Sequence, residues 1–392
     1  RLSDIDGVGG RLWYVGYTIE DLAEHASFEE VVYLLHNLRL PTQAELDDLV
    51  AFLGKGREPS PFLLELMPTF AADASPMSML RTSVSAASTH DPDGWDMGAE
   101  ANARKALRLV AIMPTLIAAY HRTREGLPLV APDPSLGHAA NFLHMLHGEH
   151  PDPADAKVLD TTFVLYADHT MNASTFTARV IASTLSDMFS AITGAIGALK
   201  GPLHGGANEE AMVMLQEVGG PANAATYVAE RLAAKRKLMG FGHAVYRTMD
   251  PRARVLKALS RDLAARRGDA VLHETAEAVE AAALDQKGLN PNVDFYAATV
   301  YHMLGIPTDL MTPIFALARM AGWTAHVREQ YVDNRIIRPP DRLRARASPG
   351  ASACPPAPCD RSCWPWPAFR STHMRSTAPL PPFRTLTWSS RP

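Results

Sequence analysis

Three breaks in the chain, each marked by Gly or Pro, set a titratable side chain where a loop meets a helix. The first is Gly201-Pro202-Leu203-His204-Gly205-Gly206-Ala207-Asn208-Glu209-Glu210. Two glycines after His204 allow close backbone approach. Asn208 is a good N-cap, and Glu209 and Glu210 suit the positive end of a helix. A His in front of a helix start faces N–H groups that disfavour its charged form, which suits a neutral hydrogen-bond donor. A capped helix beside a structural His fits the same segment. The second break is Gly240-Phe241-Gly242-His243-Ala244-Val245-Tyr246-Arg247, followed by Asp250-Pro251-Arg252. A His on flexible backbone beside two arginines suits an anionic ligand. The alternative is a loop with a solvated basic rim, continued by Arg254 and Lys257. The third is Asn290-Pro291-Asn292-Val293-Asp294-Phe295-Tyr296. Asp294 opens an apolar helix bearing Thr299, Val300 and Met303. Desolvation raises the pKa of such a carboxyl and suits it as a general base. The plain alternative is a first-turn Asp meeting the helix dipole.

Three further segments carry polar groups in apolar settings. Ala167-Asp168-His169-Thr170-Met171-Asn172 precedes a long apolar run. Arg319 lies inside the apolar stretch 315–326 and needs an anionic partner if buried. Asn334-Arg335-Ile336-Ile337-Arg338-Pro339 forms the last ordered-looking motif. His144, His147 and His150 are spaced by threes, but Gly148 and Pro151 break any shared helical face, so no metal centre is expected. Lys235-Arg236-Lys237 reads as a solvated face able to steer phosphates. Met212 and Met214 read as packing.

The elements that must position these groups are helices. Thr18-x-x-Asp21, Ser27-x-x-Glu30 and Thr42-x-x-Glu45 resemble capping boxes ahead of apolar runs. Helical periodicity recurs over 63–80, 97–120, 135–147, 173–199, 209–218, 222–238, 252–267, 271–284, 295–304 and 313–330. Residues 1–17 read as a hairpin whose glycine-rich centre, Asp6-Gly7-Val8-Gly9-Gly10, is a turn rather than a phosphate loop. There is no strand–helix alternation and no internal repeat, so the fold is expected to be mostly α.

Composition narrows the function and reveals a seam. The 392 residues hold 38 Lys and Arg against 42 Asp and Glu, a formal charge of −4, which excludes a strongly basic nucleic-acid binder. Residues 339–392 hold 12 of the 30 Pro and all 3 Cys. Their eight Arg face only Asp341 and Asp360, so this segment is +6 and the body 1–338 is −10. The tail reads as low-complexity, Pro/Arg-rich and disordered, the composition expected from a shifted reading frame in a GC-rich gene. A body without Cys has no disulfide framework. Arg1-Leu2-Ser3-Asp4 does not open a signal peptide, and the longest charge-free apolar stretch is too short to span a bilayer. A cytoplasmic protein without membrane attachment is expected.

Taken jointly, GPLHGGAN (201–208), GFGHAVYR (240–247), DPRA (250–253), NPNVDFY (290–296), ADHTMNASTF (167–176), FALARMAGWTAH (315–326) and NRIIRP (334–339) resemble the citrate synthases, including the 2-methylcitrate synthases. The resemblance runs from residue 1 to 339. It implies an all-α fold of two domains: a large one from 1–203 and 301–338, and a small one, 204–300, closing over the active-site cleft. It implies a homodimer with shared sites that condenses acetyl-CoA, or propionyl-CoA, with oxaloacetate, without metal or other cofactor. By the same resemblance Asp294 is the base, His204 the donor to the thioester oxygen, and His243 the acid at the oxaloacetate carbonyl. His169, Arg252 and Arg319 form the dicarboxylate clamp, and Arg338 reaches the other subunit's site. Arg247 matches a basic residue at the coenzyme A phosphates. Leu238, Gly240 and Gly242 match the adenine-binding turn. The sequence after Pro339 departs from the family, which leaves a catalytically impaired CoA-binding homologue as a further reading. Val15 is a smaller departure.

Overall fold

The computed structural model describes residues 2–338; the expected disordered tail, 339–392, lies outside them. The chain opens on a small antiparallel sheet, β1 (Ser3–Asp6), β2 (Arg11–Tyr14) and β3 (Tyr17–Thr18), in that order. The expected turn closes it: Asp6 Oδ1 accepts the N–H groups of Val8 at 3.0 Å and Gly9 at 2.8 Å. The third strand was not foreseen.

Helices α1 (Ile19–His25), α2 (Phe28–Asn37) and α3 (Gln43–Gly56) start where the capping signals stand. Ser27 with Glu30 and Thr42 with Glu45 form complete reciprocal boxes. At Thr18 the hydroxyl accepts the Asp21 N–H, but the Asp side chain does not return to the backbone, so that box is half made. The period 63–80 divides into α4 (Pro61–Leu66) and α5 (Pro76–Ala87), because Pro68 and Pro76 each end one helical run or begin another. Next come α6 (Ala99–Arg124) and α7 (His138–His147), and Gly148, in the left-handed region, stops α7.

Helix α8 (Pro153–Tyr166) was missed by periodicity, since charged and apolar residues mix along it. Its start signal was present: Asp152 accepts the Ala154 N–H at 2.7 Å, and Pro153 takes the first helical position. The run 173–199 is two helices, α9 (Ala173–Ser183) and α10 (Met188–Leu199). Leu185 adopts φ +63° between them, and Asp187 caps the second. Then follow α11 (Ala207–Val218), α12 (Ala224–Ala233), α13 (Pro251–Arg267), α14 (Val271–Lys287), α15 (Val293–Met303) and α16 (Met311–Val332). The all-α expectation holds; the three short strands are confined to the first eighteen residues.

Two helices are apolar almost all round and form the centre. Helix α16 is buried without interruption from Met311 to Val327, and α15 from Val293 to Tyr301. The end of α8 lies directly on α16. Gly322 makes this possible: its N–H donates to Ala167 O at 3.0 Å, and a Cβ there would stand 2.5 Å from Asp168 Oδ1. The backbone carrying Asp168 and His169 is therefore fixed against the central helix. Among the described residues, no helix is long and apolar enough to cross a membrane.

Candidate active site

The three breaks converge. His169, from the loop after α8, and His243, from the loop before α13, meet with ring centroids 5.2 Å apart. Tyr246 packs on both, 4.7 Å from His243 and 5.7 Å from His169, and its hydroxyl lies 3.3 Å from His169 Nε2. The tautomer of His243 follows from its neighbours. Nδ1 accepts the backbone N–H groups of Val245 at 3.0 Å and Tyr246 at 3.2 Å. Its proton therefore sits on Nε2, which is the donor. Burial, and then the charge of Arg252, push the His243 pKa down to about 4, so the ring is neutral near pH 7.

His204 is pinned in the opposite sense. The N–H of Ser174, in the first turn of α9, donates to His204 Nε2 at 3.3 Å, and Ser174 Oγ lies 2.9 Å from the same nitrogen. Ser174 is itself held by the indole N–H of Trp323, at 3.2 Å. A backbone N–H can only donate, so Nε2 is the acceptor and Nδ1 carries the proton. Burial, then Arg319, bring this pKa also to about 4. His204 is thus neutral as expected, but burial and Arg319 keep it so, and the helix start that faces it is that of α9, not the one that follows it in sequence. Asn208 is likewise not the cap of α11. Gly206 occupies that position, and Asn208 is buried one residue inside the first turn.

Asp294 stands in the first turn of α15, where Asn292 caps the helix by accepting the Asp294 N–H at 3.0 Å. The carboxyl is buried, and desolvation raises its pKa to about 6 against the opposing Tyr166 hydrogen bond and Arg252 charge. Arg319 is buried in α16. Its Nε donates to Tyr166 O at 2.7 Å, its guanidinium lies 4.8 Å over the Phe315 ring, and Nη1 is buried with no partner. Burial lowers its pKa to about 10, with Asp168 opposing. Among the described residues no carboxylate hydrogen-bonds Arg319, so the anionic partner expected for it is not met there and Nη1 is left unpaired. Arg252 is different: it makes a buried two-point pair with Asp250, Nε to Oδ1 at 3.0 Å and Nη2 to Oδ2 at 2.7 Å. Burial and both arginines hold His169 well below its ordinary pKa.

The loop 238–242 is tied to the base. Gly242 N–H donates to Asn290 O at 2.9 Å, Asn292 N–H to Gly240 O at 2.8 Å, and Asn292 Nδ2 to Gly242 O at 2.9 Å. Gly240 has φ +79°, and a Cβ there would stand 2.8 Å from Phe295 Cβ. Leu238 is buried beside this loop. Arg247 is exposed, and its backbone N–H donates to Gly7 O at 2.8 Å. Arg338 is exposed, at the end of a segment that Asn334 Nδ2 and Ile337 N–H hold on Ser183, at 3.1 and 3.0 Å. A cavity of about 760 Å³, lined among others by Leu35, Met97, Met171 and Val332, is not lined by His204, His243 or Asp294. In the histidine series, His147 Nε2 lies 3.1 Å from Leu304 O and His150 Nε2 lies 3.1 Å from Asp133 Oδ2. Among the described residues no group of three possible ligands could hold a metal ion.

Sequence reasoning missed Tyr166, Tyr246 and the part played by Ser174. Each is a hydrogen-bond partner from another element, and only the last two lay in motifs that drew notice. Two imidazoles that are neutral near pH 7, one desolvated carboxyl and an arginine whose Nη1 has no partner are thus brought together.

Known proteins place the chain more narrowly. The family model for the citrate synthase C-terminal domain matches residues 1–340. Citrate synthase 2 of Bacillus subtilis is 50% identical over 329 residues, covering 84% of this chain and 88% of that protein. A 2-methylcitrate synthase of Shewanella oneidensis is 46% identical, covering 86% and 90%. The crystal structure of citrate synthase from Pyrobaculum aerophilum superposes with a TM-score of 0.83 at 43% identity, covering 90% of this chain and 91% of that one. The chain belongs to the citrate synthase family, and so to the acyltransferases that convert the acyl group to an alkyl group on transfer.

Proposed function

We propose that this enzyme condenses acetyl-CoA with oxaloacetate and water to give citrate and coenzyme A, and that Asp294, His204 and His243 carry the chemistry. The observation that supports this best is the pair of opposed tautomers, which puts a neutral N–H donor at Nδ1 of His204 and at Nε2 of His243. Asp294 takes a proton from the acyl methyl carbon. His204 donates to the thioester oxygen as the enol forms; a preorganised donor of this kind lowers the barrier by about 3–4 kcal/mol. The enol carbon attacks the oxaloacetate carbonyl, and His243 protonates the alkoxide that results. Water then cleaves the thioester, releasing coenzyme A. His169, Arg252 and Arg319 hold the oxaloacetate carboxylates, and Arg319 Nη1 is the fork end already open to one. Acyl-CoA is a substrate here, and no metal or redox group enters the scheme.

The segment 204–300 acts as a small domain that closes on the large one, 1–203 with 301–338, and excludes water until the carbon–carbon bond has formed. Arg247 meets the coenzyme phosphates, and the backbone of Leu238, Gly240 and Gly242 meets the adenine. A second copy completes each site through Arg338. Exposed Met171, Val332 and Ile336 give that face the apolar character a subunit contact needs. We place the enzyme in the cytoplasm.

A second substrate reading rests on the Shewanella relative: propionyl-CoA in place of acetyl-CoA. One methylene changes selectivity by only about 1–3 kcal/mol, so the two are separated by kcat/KM. Coenzyme A release with oxaloacetate and either thioester is the test. Efficient turnover of acetyl-CoA is expected. Turnover of neither by a folded dimer would overturn the proposal and favour a non-catalytic binder.

A further inference from the structure

One buried polar group in the site has no part in the scheme above. Tyr166 ends α8, is fully enclosed, and donates its hydroxyl to Asp294 Oδ1 at 3.0 Å. Its ring meets Phe315 edge-on, with centroids 4.5 Å apart. Its own carbonyl accepts Arg319 Nε at 2.7 Å.

We infer that Tyr166 is a positioning residue for the proton transfer, holding Asp294 by Oδ1 so that Oδ2 is the oxygen presented to the acyl carbon. This rests on Asp294 being the base. The terminal torsion of a carboxylate is broad and nearly two-fold, so nothing intrinsic to Asp294 chooses between its oxygens. A single donor on one oxygen breaks that symmetry. No side chain among the described residues hydrogen-bonds Oδ2. The Tyr166 ring cannot swing away, because Phe315 packs on its edge and Arg319 grips its carbonyl. The base and the arginine with the open nitrogen thus share one rigid support.

The same bond sets base strength. Four other charged or titratable groups face Asp294: Arg252 and Asp250 at the start of α13, Arg319 from α16, and Tyr301 on its own helix. Arg252 is engaged by Asp250, and none of these side chains hydrogen-bonds the carboxylate. Tyr166 alone does so, and a donor to the ionised form offsets part of the desolvation that drives the carboxyl toward its neutral form.

The test is the pH dependence of kcat in the full chain, with acetyl-CoA and oxaloacetate saturating. Tyr166→Phe keeps the ring and its contact with Phe315. It is expected to move the acid limb up by about one pH unit, a tenfold change in proton affinity, and to lower the plateau about tenfold through lost orientation. The oxaloacetate KM is expected to stay within about twofold of the wild type, since Arg319 keeps its carbonyl partner. Site-specific 3-fluorotyrosine, a stronger donor of nearly the same shape, is expected to move the limb down. It also answers the question if the Phe variant fails to fold. An acid limb unmoved in both proteins overturns the inference, because a packing role would lower the plateau alone. Asp294→Asn separates the two claims. If it still condenses, the base assignment fails; if it is inactive while both limbs stay put, only the role of Tyr166 fails.

Discussion

Replacing Asp294 by Asn should abolish condensation and at the same time stabilise the protein. The carboxyl is buried, and its pKa rises from 3.8 to about 6. A shift of about two units corresponds to about 3 kcal/mol of penalty on the ionised form. The sign follows from proton linkage. Between pH 3.8 and about 6 the folded state binds more protons at this group than the unfolded state, so stability falls as pH rises through that window. Above pH 6 the penalty is complete. Asn has no charge to desolvate, and its oxygen still accepts from Tyr166. An unpaired amide N–H returns about 1–2 kcal/mol at every pH, leaving a net gain of about 1–2 kcal/mol above pH 6 and a net loss of about 1–2 kcal/mol below pH 4, where the penalty is absent. Urea unfolding of both proteins from pH 4 to pH 8 measures this. The stability gap should change sign between pH 4 and 6 and stay level beyond. Coenzyme A release should fall at least about 10²-fold. A variant less stable at pH 8, or a gap that does not vary with pH, would refute the desolvation argument even if activity were lost.

Other perturbations test the proposed clamp and the loop proposed to meet the coenzyme. Arg319→Met should cut kcat/KM for oxaloacetate by about 10²-fold or more, with the fold unharmed or firmer in urea, because a buried charge with an open nitrogen is replaced by a side chain that packs. Gly240→Ala should cost about 2–4 kcal/mol in chemical denaturation and raise the acyl-CoA KM, since φ +79° and the Phe295 contact both oppose a Cβ. Gly242→Ala, at φ +75° with nothing within 4 Å, should cost only about 1–2 kcal/mol.

The groups proposed for acid–base work were more legible in the sequence than what holds them. Asp294 could be read because a charged residue opening an apolar helix is conspicuous. Caps at Ser27 and Thr42 were equally legible, being local. What stayed hidden was long-range. Tyr166 lies 128 positions from Asp294, and Ser174 lies 30 from His204. A periodicity reading carries no information on such pairings. The same limit explains the false joins at 63–80 and 173–199: apolar spacing survives a Pro break or a left-handed Leu185, while the helix does not. It also explains α8, whose Asp152-Pro153 start was written plainly but whose interior mixes charge with apolar groups.

The electrostatics of the site follow from one choice repeated: cations are buried while the nearby histidines are kept neutral. Arg252 and Arg319 both lower the proton affinity of His169, and one or the other does so at His243 and His204. A neutral imidazole is a weaker acid than imidazolium, so it can donate to a developing oxyanion without surrendering its proton beforehand. The arginines that would bind the substrate's carboxylates therefore also fix the protonation state of the groups that act on its carbonyl. Binding an anion between them partly cancels that influence. The histidine pKa values should then rise only once oxaloacetate is held, so the imidazoles stay neutral N–H donors in the empty site and take up a proton more readily when the anion is present.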